Sequence, residues 1–140
     1  MEELISHSLD DLHFISKKVI ALAKQNKFIA FRGNSGAGKT TLIRSILKEM
    51  GVTDFKGSPS FSLVNEYDGP NNEPIYHFDF YRIENEVEAY DIGWEDYLSK
   101  KAAWIFVEWP ERIENLLPDH FLLISISQND GSRTFQWKMF

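Results

Sequence analysis

The chain has no cysteine. That excludes disulfides and thiolate metal sites, and it suits a reducing compartment. Nor is there an apolar run approaching the roughly 20 residues that a membrane-spanning helix needs. The first residues, Met1-Glu2-Glu3-Leu4-Ile5-Ser6-His7, are acidic where a secretory signal would be basic. No linker, repeat or low-complexity segment interrupts the 140 residues. The expectation is one soluble, cytoplasmic domain, residues 1–140, near the modal domain size. A surplus of positive charge is missing too. Net charge is −6, and Lys and Arg are scattered in short pairs such as Lys17-Lys18 and Lys100-Lys101. A protein that grips RNA by itself usually presents a basic face, so nucleotide and protein partners are favoured over an extensive nucleic-acid surface. Core-forming residues are plentiful: 43% of the chain is hydrophobic and 14% aromatic.

The most informative segment is Gly33-Asn34-Ser35-Gly36-Ala37-Gly38-Lys39-Thr40, with Thr41 after it. It fits G-x-x-x-x-G-K-[ST], the phosphate-binding P-loop. Glycines let the backbone curl so that successive N–H groups point at phosphate oxygens. Lys39 supplies a flexible charge for the β- and γ-phosphates, and the Thr40 hydroxyl is a Mg²⁺ ligand. Chance matches to this pattern occur, so context decides. Lys27 to Phe31 reads as a short buried strand before the loop. Thr41 to Met50 reads as a helix after it, with Leu42, Ile43, Ile46 and Leu47 at helical spacing and Gly51 as its stop. Strand, loop and helix in this order aim a helix N-terminus at phosphate.

The remaining pattern predicts a mixed sheet. A first helix covers about residues 9–24, with an apolar stripe from Leu9 to Ala23 and a cap at Ser8 or Asp10. Phe61 to Tyr67 and Ile75 to Phe80 read as two strands across the turn-rich Asp68 to Pro74, an antiparallel hairpin. Residues 85–98 read as two short helices broken near Gly93. Ala102 to Val107 is a continuous apolar run, as in a central strand covered on both faces. Glu111 to Leu117 reads as a short helix. Phe121 to Ser127 and Arg133 to Phe140 are strands joined by Asn129-Asp130-Gly131-Ser132, a strong hairpin signal. The fold class is α/β: a single-domain P-loop NTPase-like fold whose mixed sheet includes antiparallel hairpins and is flanked by helices.

Phosphate chemistry needs an acid near Mg²⁺ and a group that orders the attacking oxygen. Two acids compete. Glu108 ends the buried run Trp104 to Val107, the usual place of a Walker B acid, and is preferred on strand burial. Asp79 ends the strand Ile75 to Phe78, beside His77, Tyr81 and Arg82. Ser58-Pro59-Ser60-Phe61-Ser62 is either a switch-like segment that closes over a γ-phosphate or an ordinary turn with capping serines. His77 is either a core histidine or a group behind the site. Trp109 stacks either on a ligand or partner, or on the core.

Taken together, Gly33 to Thr41, Ser58 to Tyr67, His77-Phe78-Asp79-Phe80-Tyr81-Arg82 and Val107-Glu108-Trp109-Pro110-Glu111 resemble, in order and spacing, the TsaE family, also called YjeE. That family comprises small bacterial ATPases of tRNA threonylcarbamoyladenosine biosynthesis. The resemblance covers nearly the whole chain. It implies that Mg-ATP is bound and slowly hydrolysed to ADP. It also implies action with TsaB and TsaD, the pair that modifies the adenosine next to the anticodon. Carried over by position, Lys39 grips phosphates, Thr40 and Glu108 hold Mg²⁺, and Asp79 supports the metal or the attacking water. Lys39, Asp79 and Glu108 are then the catalytic set. The Ser58 to Ser62 loop, with Ser60 and Ser62, matches the switch-like segment, and Trp109 matches the Trp beside the catalytic acid. The stretch from Ser6 to Asp10 matches the part near the adenine. Two departures stand out: Asn34 where the family often has Asp, and Ser60 where it often has Thr. Arg82 is a candidate for γ-phosphate charge or the partner of an acid, and Arg133 for the nucleotide edge. Competing readings are a small-molecule kinase and a nucleotide-gated binding module without useful hydrolysis. A guanine-specific switch is disfavoured, because no N-K-x-D segment follows the P-loop.

Overall fold

Short strands and helices alternate along the chain, as the hydrophobic periods predict. The computed structural model describes residues 2–6, 9–34, 38–59, 63–100, 102–129 and 131–140. The strands are β1 (Glu2–Ser6), β2 (Phe28–Arg32), β3 (Val64–Asp68), β4 (Pro74–Asp79), β5 (Trp104–Glu108), β6 (Leu122–Asn129) and β7 (Ser132–Met139). The helices are α1 (Leu9–Ala23), α2 (Lys39–Glu49), α3 (Val87–Asp91) and α4 (Trp94–Ser99), with 3₁₀ turns at Pro70–Asn72 and Pro110–Leu116. All seven strands join one sheet, in the order β1-β7-β6-β2-β5-β4-β3. β6, β2, β5 and β4 run parallel, while β3, β7 and β1 are added antiparallel at the two sides.

Strand parity sorts the core into two layers. Ile29 and Phe31 of β2 and Trp104 and Phe106 of β5 pack with the stripes of α1 and α2. Phe28 and Ala30, with Ile105 and Val107, face the other layer with α3 and α4. Trp94 anchors that second layer. Its ring meets Phe78, Phe80 and Phe28 edge-on at 5.0, 5.5 and 6.1 Å, and its indole N–H donates to the Leu116 carbonyl at 3.0 Å. Such ring pairs each add about 0.5–1.5 kcal/mol beyond simple burial. Because β5 is covered on both faces, all five of its residues are buried, Glu108 included.

Several boundaries differ from the sequence expectation, for local reasons. Lys27 (φ 58°) and Ala102 (φ 63°) take left-handed backbone, so β2 starts at Phe28 and β5 at Trp104. The hairpin strand expected from Phe61 starts at Val64, after Leu63 at φ 63°. Phe61 and Ser62 lie outside the described residues. The helix expected over Glu111 to Leu117 is a 3₁₀ turn, broken at Ile113 (φ −130°, ψ 36°). β1 was not expected: Glu2 to Ser6 has no clear strand alternation, and it becomes a strand by pairing Glu2 with Trp137 through Ser6 with Arg133. The two antiparallel hairpins, β3 with β4 and β6 with β7, and the helix break at Gly93 are as expected. Among the described residues no helix is long and apolar enough to cross a membrane.

Candidate active site

Three parallel strands end together. β2 leads into the P-loop. Asp79, the last residue of β4, is the register partner of Glu108, the last residue of β5. Parity places His77, Asp79 and Glu108 on the α2 side of the sheet, the face that carries Ile75 and Phe106. α2 begins at Lys39 behind Gly38. Gly38 takes φ 106° and offers no side-chain cap, and the first turn of α2 has no acidic residue. The N-cap residue therefore supplies no side chain to the leading N–H groups of the helix, which favour an anion. The stripe Leu42, Ile43, Ile46 and Leu47 is fully buried and fixes the direction of the helix.

These elements enclose a cleft of about 330 Å³. Gly38, Lys39, Thr40 and Thr41 line it together with Asp79, Tyr81, Glu108 and Trp109, and Ser58 and Arg133 also border it. Lys39 is buried although charged. Its Nζ donates to the Gly33 carbonyl and lies 3.7 Å from the centre of the Trp109 ring. Burial holds the Lys39 ammonium below the usual lysine range, against the opposing pull of Glu108, Glu111 and Asp79. The Thr40 hydroxyl is 3.0 Å from the Ser58 hydroxyl.

The two acids have different surroundings. Glu108 is 2% exposed, and its Oε2 is 2.7 Å from His77 Nε2. Asp79 Oδ1 accepts the Tyr81 backbone N–H at 3.0 Å. Burial raises the Asp79 carboxyl above its usual range. The Tyr81 N–H opposes this, Glu108 adds to it, and His77 and Lys39 oppose it. Two partly desolvated carboxylates at adjacent strand ends repel one another, and a bound cation relieves that repulsion.

The structure brings Lys39, Thr40, Thr41, Asp79, Glu108 and Trp109 to one cleft and puts His77 directly behind Glu108. Gly33 serves as the acceptor for Lys39, and Asn34 is exposed. Ser35, Gly36, Ala37, Ser60 and Ser62 lie outside the described residues, as does Ser8. Arg82 is exposed and borders a neighbouring hollow of about 160 Å³ together with Ser58, Asp79 and Tyr81. Arg133 packs against Gly38: a Cβ there would meet its guanidinium at 3.1 Å. Sequence reading gave Tyr81 no role of its own and Ser58 one only as part of the switch-like loop. The Tyr81 ring lies tilted by 44° against Trp109, with 4.9 Å between centres, and the Ser58 hydroxyl meets that of Thr40. The short spacing from Asp79 to Tyr81 was the available signal for the first. The second depends on a loop fold that no period encodes.

Comparison with known proteins gives a consistent result. The family model described as "Threonylcarbamoyl adenosine biosynthesis protein TsaE" matches residues 6–135. The protein of that name from Bacillus subtilis is 37% identical over 115 residues, covering 81% of this chain and 70% of its own. Its counterpart from Haemophilus influenzae is 34% identical, covering 77% and 67%. That from Aquifex aeolicus is 32% identical, covering 80% and 79%. The crystal structure of Bacillus subtilis YdiB superposes with a TM-score of 0.66 at 26% identity, over 97% of this chain and 84% of the other. Its overall likeness agrees with the mixed sheet and flanking helices described above. The chain belongs to the TsaE family of tRNA threonylcarbamoyladenosine biosynthesis.

Proposed function

We propose that the chain binds Mg-ATP in this cleft and hydrolyses it slowly to ADP, as the ATPase partner of TsaB and TsaD in threonylcarbamoyladenosine modification of tRNA. The observation that carries the ATPase reading is the convergence of Lys39, Thr40, Asp79 and Glu108 on one cleft at the strand ends. The partner assignment is supported by family membership.

The residues suit a hard divalent cation that arrives with phosphate. Thr40, Asp79 and Glu108 offer oxygen donors. Among the described residues no group of three or more His, Cys, Asp or Glu could hold a metal on its own. Mg²⁺ is commonly bound in this way, by one or two carboxylates together with substrate phosphates and water. When bound, Mg²⁺ supplies charge neutralisation across the β- and γ-phosphates. Thr40 and either or both carboxylates would hold it.

Lys39 grips the phosphates, and the uncapped start of α2 adds N–H donors. Glu108 or Asp79 accepts a proton as the attacking water oxygen bonds to the γ-phosphorus. The bond from that phosphorus to the bridging oxygen of ADP breaks, and phosphate leaves. Arg133 flanks the nucleotide edge. The Lys39 ammonium has two further N–H donors beside the one given to Gly33, and these are available to phosphate oxygens.

Calorimetric titration of ATP with and without Mg²⁺, on the native chain and on Lys39→Ala, tests the binding half. Affinity that depends on both supports it. Equal affinity in the variant would overturn it. Tight binding with no turnover even beside TsaB and TsaD would favour a nucleotide-gated binding module.

A further inference from the structure

Among the described residues a single buried side-chain polar atom has no hydrogen-bond partner: Nδ1 of His77. The other ring nitrogen is fully engaged. Nε2 lies 2.7 Å from Glu108 Oε2, with the two side chains 0% and 3% exposed. The contact spans 31 positions of sequence and exists because β4 and β5 are neighbours in register, His77 facing Phe106 and Asp79 facing Glu108. His77 thus sits one pleat below the carboxylates, on their side of the sheet.

The unpartnered nitrogen identifies the tautomer. A proton on Nδ1 would bury a donor with no acceptor. The arrangement with the least cost places the proton on Nε2, donating to Glu108, and leaves Nδ1 bare. A glutamate has three side-chain torsions, and fixing them costs up to about 2 kcal/mol in lost freedom. A short, water-excluded hydrogen bond to one oxygen fixes them before any ligand arrives.

We infer that His77 is a positioning residue: its Nε2–H holds Oε2 of Glu108, so that Oε1 is the oxygen presented to the cleft. Resting on the ATPase reading above, this inference makes His77 the group behind the acid rather than a core histidine alone. It also accounts for Glu108 not pairing with the nearby Lys39. No Lys39–carboxylate ion pair within 4 Å occurs among the described residues, although Glu108 is the strongest of the acids acting on that ammonium. Lys39 stays available for phosphate because the carboxylate is held elsewhere.

Two substitutions separate the hydrogen bond from simple space filling. In His77→Gln the amide nitrogen reaches about as far as Nε2. In His77→Asn it reaches only as far as Nδ1, short of Glu108. The expected results are turnover near the native value for His77→Gln and a kcat about 10- to 100-fold lower for His77→Asn, as for other lost partners of metal-site ligands, with KM for ATP little changed. Long-range nitrogen–proton correlation NMR of the ligand-free native protein reads the tautomer without any turnover, the His77 signals being assigned by their loss in His77→Gln. The expected ring is protonated at Nε2 and bare at Nδ1. An Nδ1–H tautomer or equal kcat in the two variants would overturn the inference. Should the native chain bind no Mg-ATP, the functional reading fails, and the NMR result alone then decides the hydrogen bond.

Discussion

The Lys39 ammonium lies 3.7 Å from the centre of the Trp109 ring and donates to the Gly33 carbonyl. An ammonium over an indole is held by about 0.5–2 kcal/mol, depending on how dry the contact is. The P-loop lysine is therefore ordered before any ligand arrives, within a buried setting that disfavours its charge. Phosphate restores the charge balance that burial removes. Lys39→Ala should weaken ATP binding by about 100-fold, the loss of charged hydrogen bonds to phosphate. Calorimetry checks this.

Glu108 should matter more to turnover than to binding. Glu108→Gln keeps an oxygen for His77 but removes the proton acceptor. The expected loss in kcat is about 10²- to 10⁴-fold, with a much smaller change in ATP affinity. Single-turnover kinetics with independently measured affinity make the comparison. An equal loss in both would make Glu108 a binding ligand only.

Asp79 gives a prediction in pH. Burial raises its carboxyl above the usual value of 3.8, so the folded chain holds this proton more tightly than the unfolded chain does. The Asp79 contribution to folding is then most favourable when the group is protonated, and it declines as pH rises from about that value through the raised one. Asp79→Asn removes this term and keeps an oxygen for the Tyr81 N–H. In the absence of nucleotide the variant should be the more stable at neutral pH. Its advantage should shrink as pH falls toward the ordinary carboxylate range. Denaturant midpoints between pH 4 and 7.5 measure the gap; a gap that widens on acidification would contradict the assignment. Mg-ATP affinity should move the other way, weaker in the variant at neutral pH.

Gly38 is constrained twice. Its φ of 106° disfavours any side chain, and a Cβ would press on the Arg133 guanidinium at 3.1 Å. Gly38→Ala should cost about 1–2 kcal/mol from the backbone alone and displace Arg133 from the cleft wall. A lowered thermal midpoint together with weaker ATP binding is expected. An unchanged midpoint would show that the glycine conformation is not required.

Much of this was legible in the chain. The strand, P-loop and helix follow from a buried run, a glycine pattern and the 3.6-residue spacing of Leu42, Ile43, Ile46 and Leu47. The β3–β4 and β6–β7 hairpins follow from dense turn residues between alternating strands. The convergence of Asp79 and Glu108 was half legible: each could be placed at a strand end, but their pairing depends on β4 and β5 being neighbours. The His77–Glu108 bond was hidden for the same reason. β1 was hidden because its conformation comes from β7, at the other end of the chain. The left-handed Lys27, Leu63 and Ala102, which shift three strand starts, are side chains with no local preference for that backbone, so only the assembled fold explains them.

Phosphate release from Mg-ATP, measured on this chain alone and beside TsaB and TsaD, tests the central claim most directly. Weak release alone that rises when the pair is added is the predicted result. Proven ATP binding with no phosphate release in either condition would contradict it.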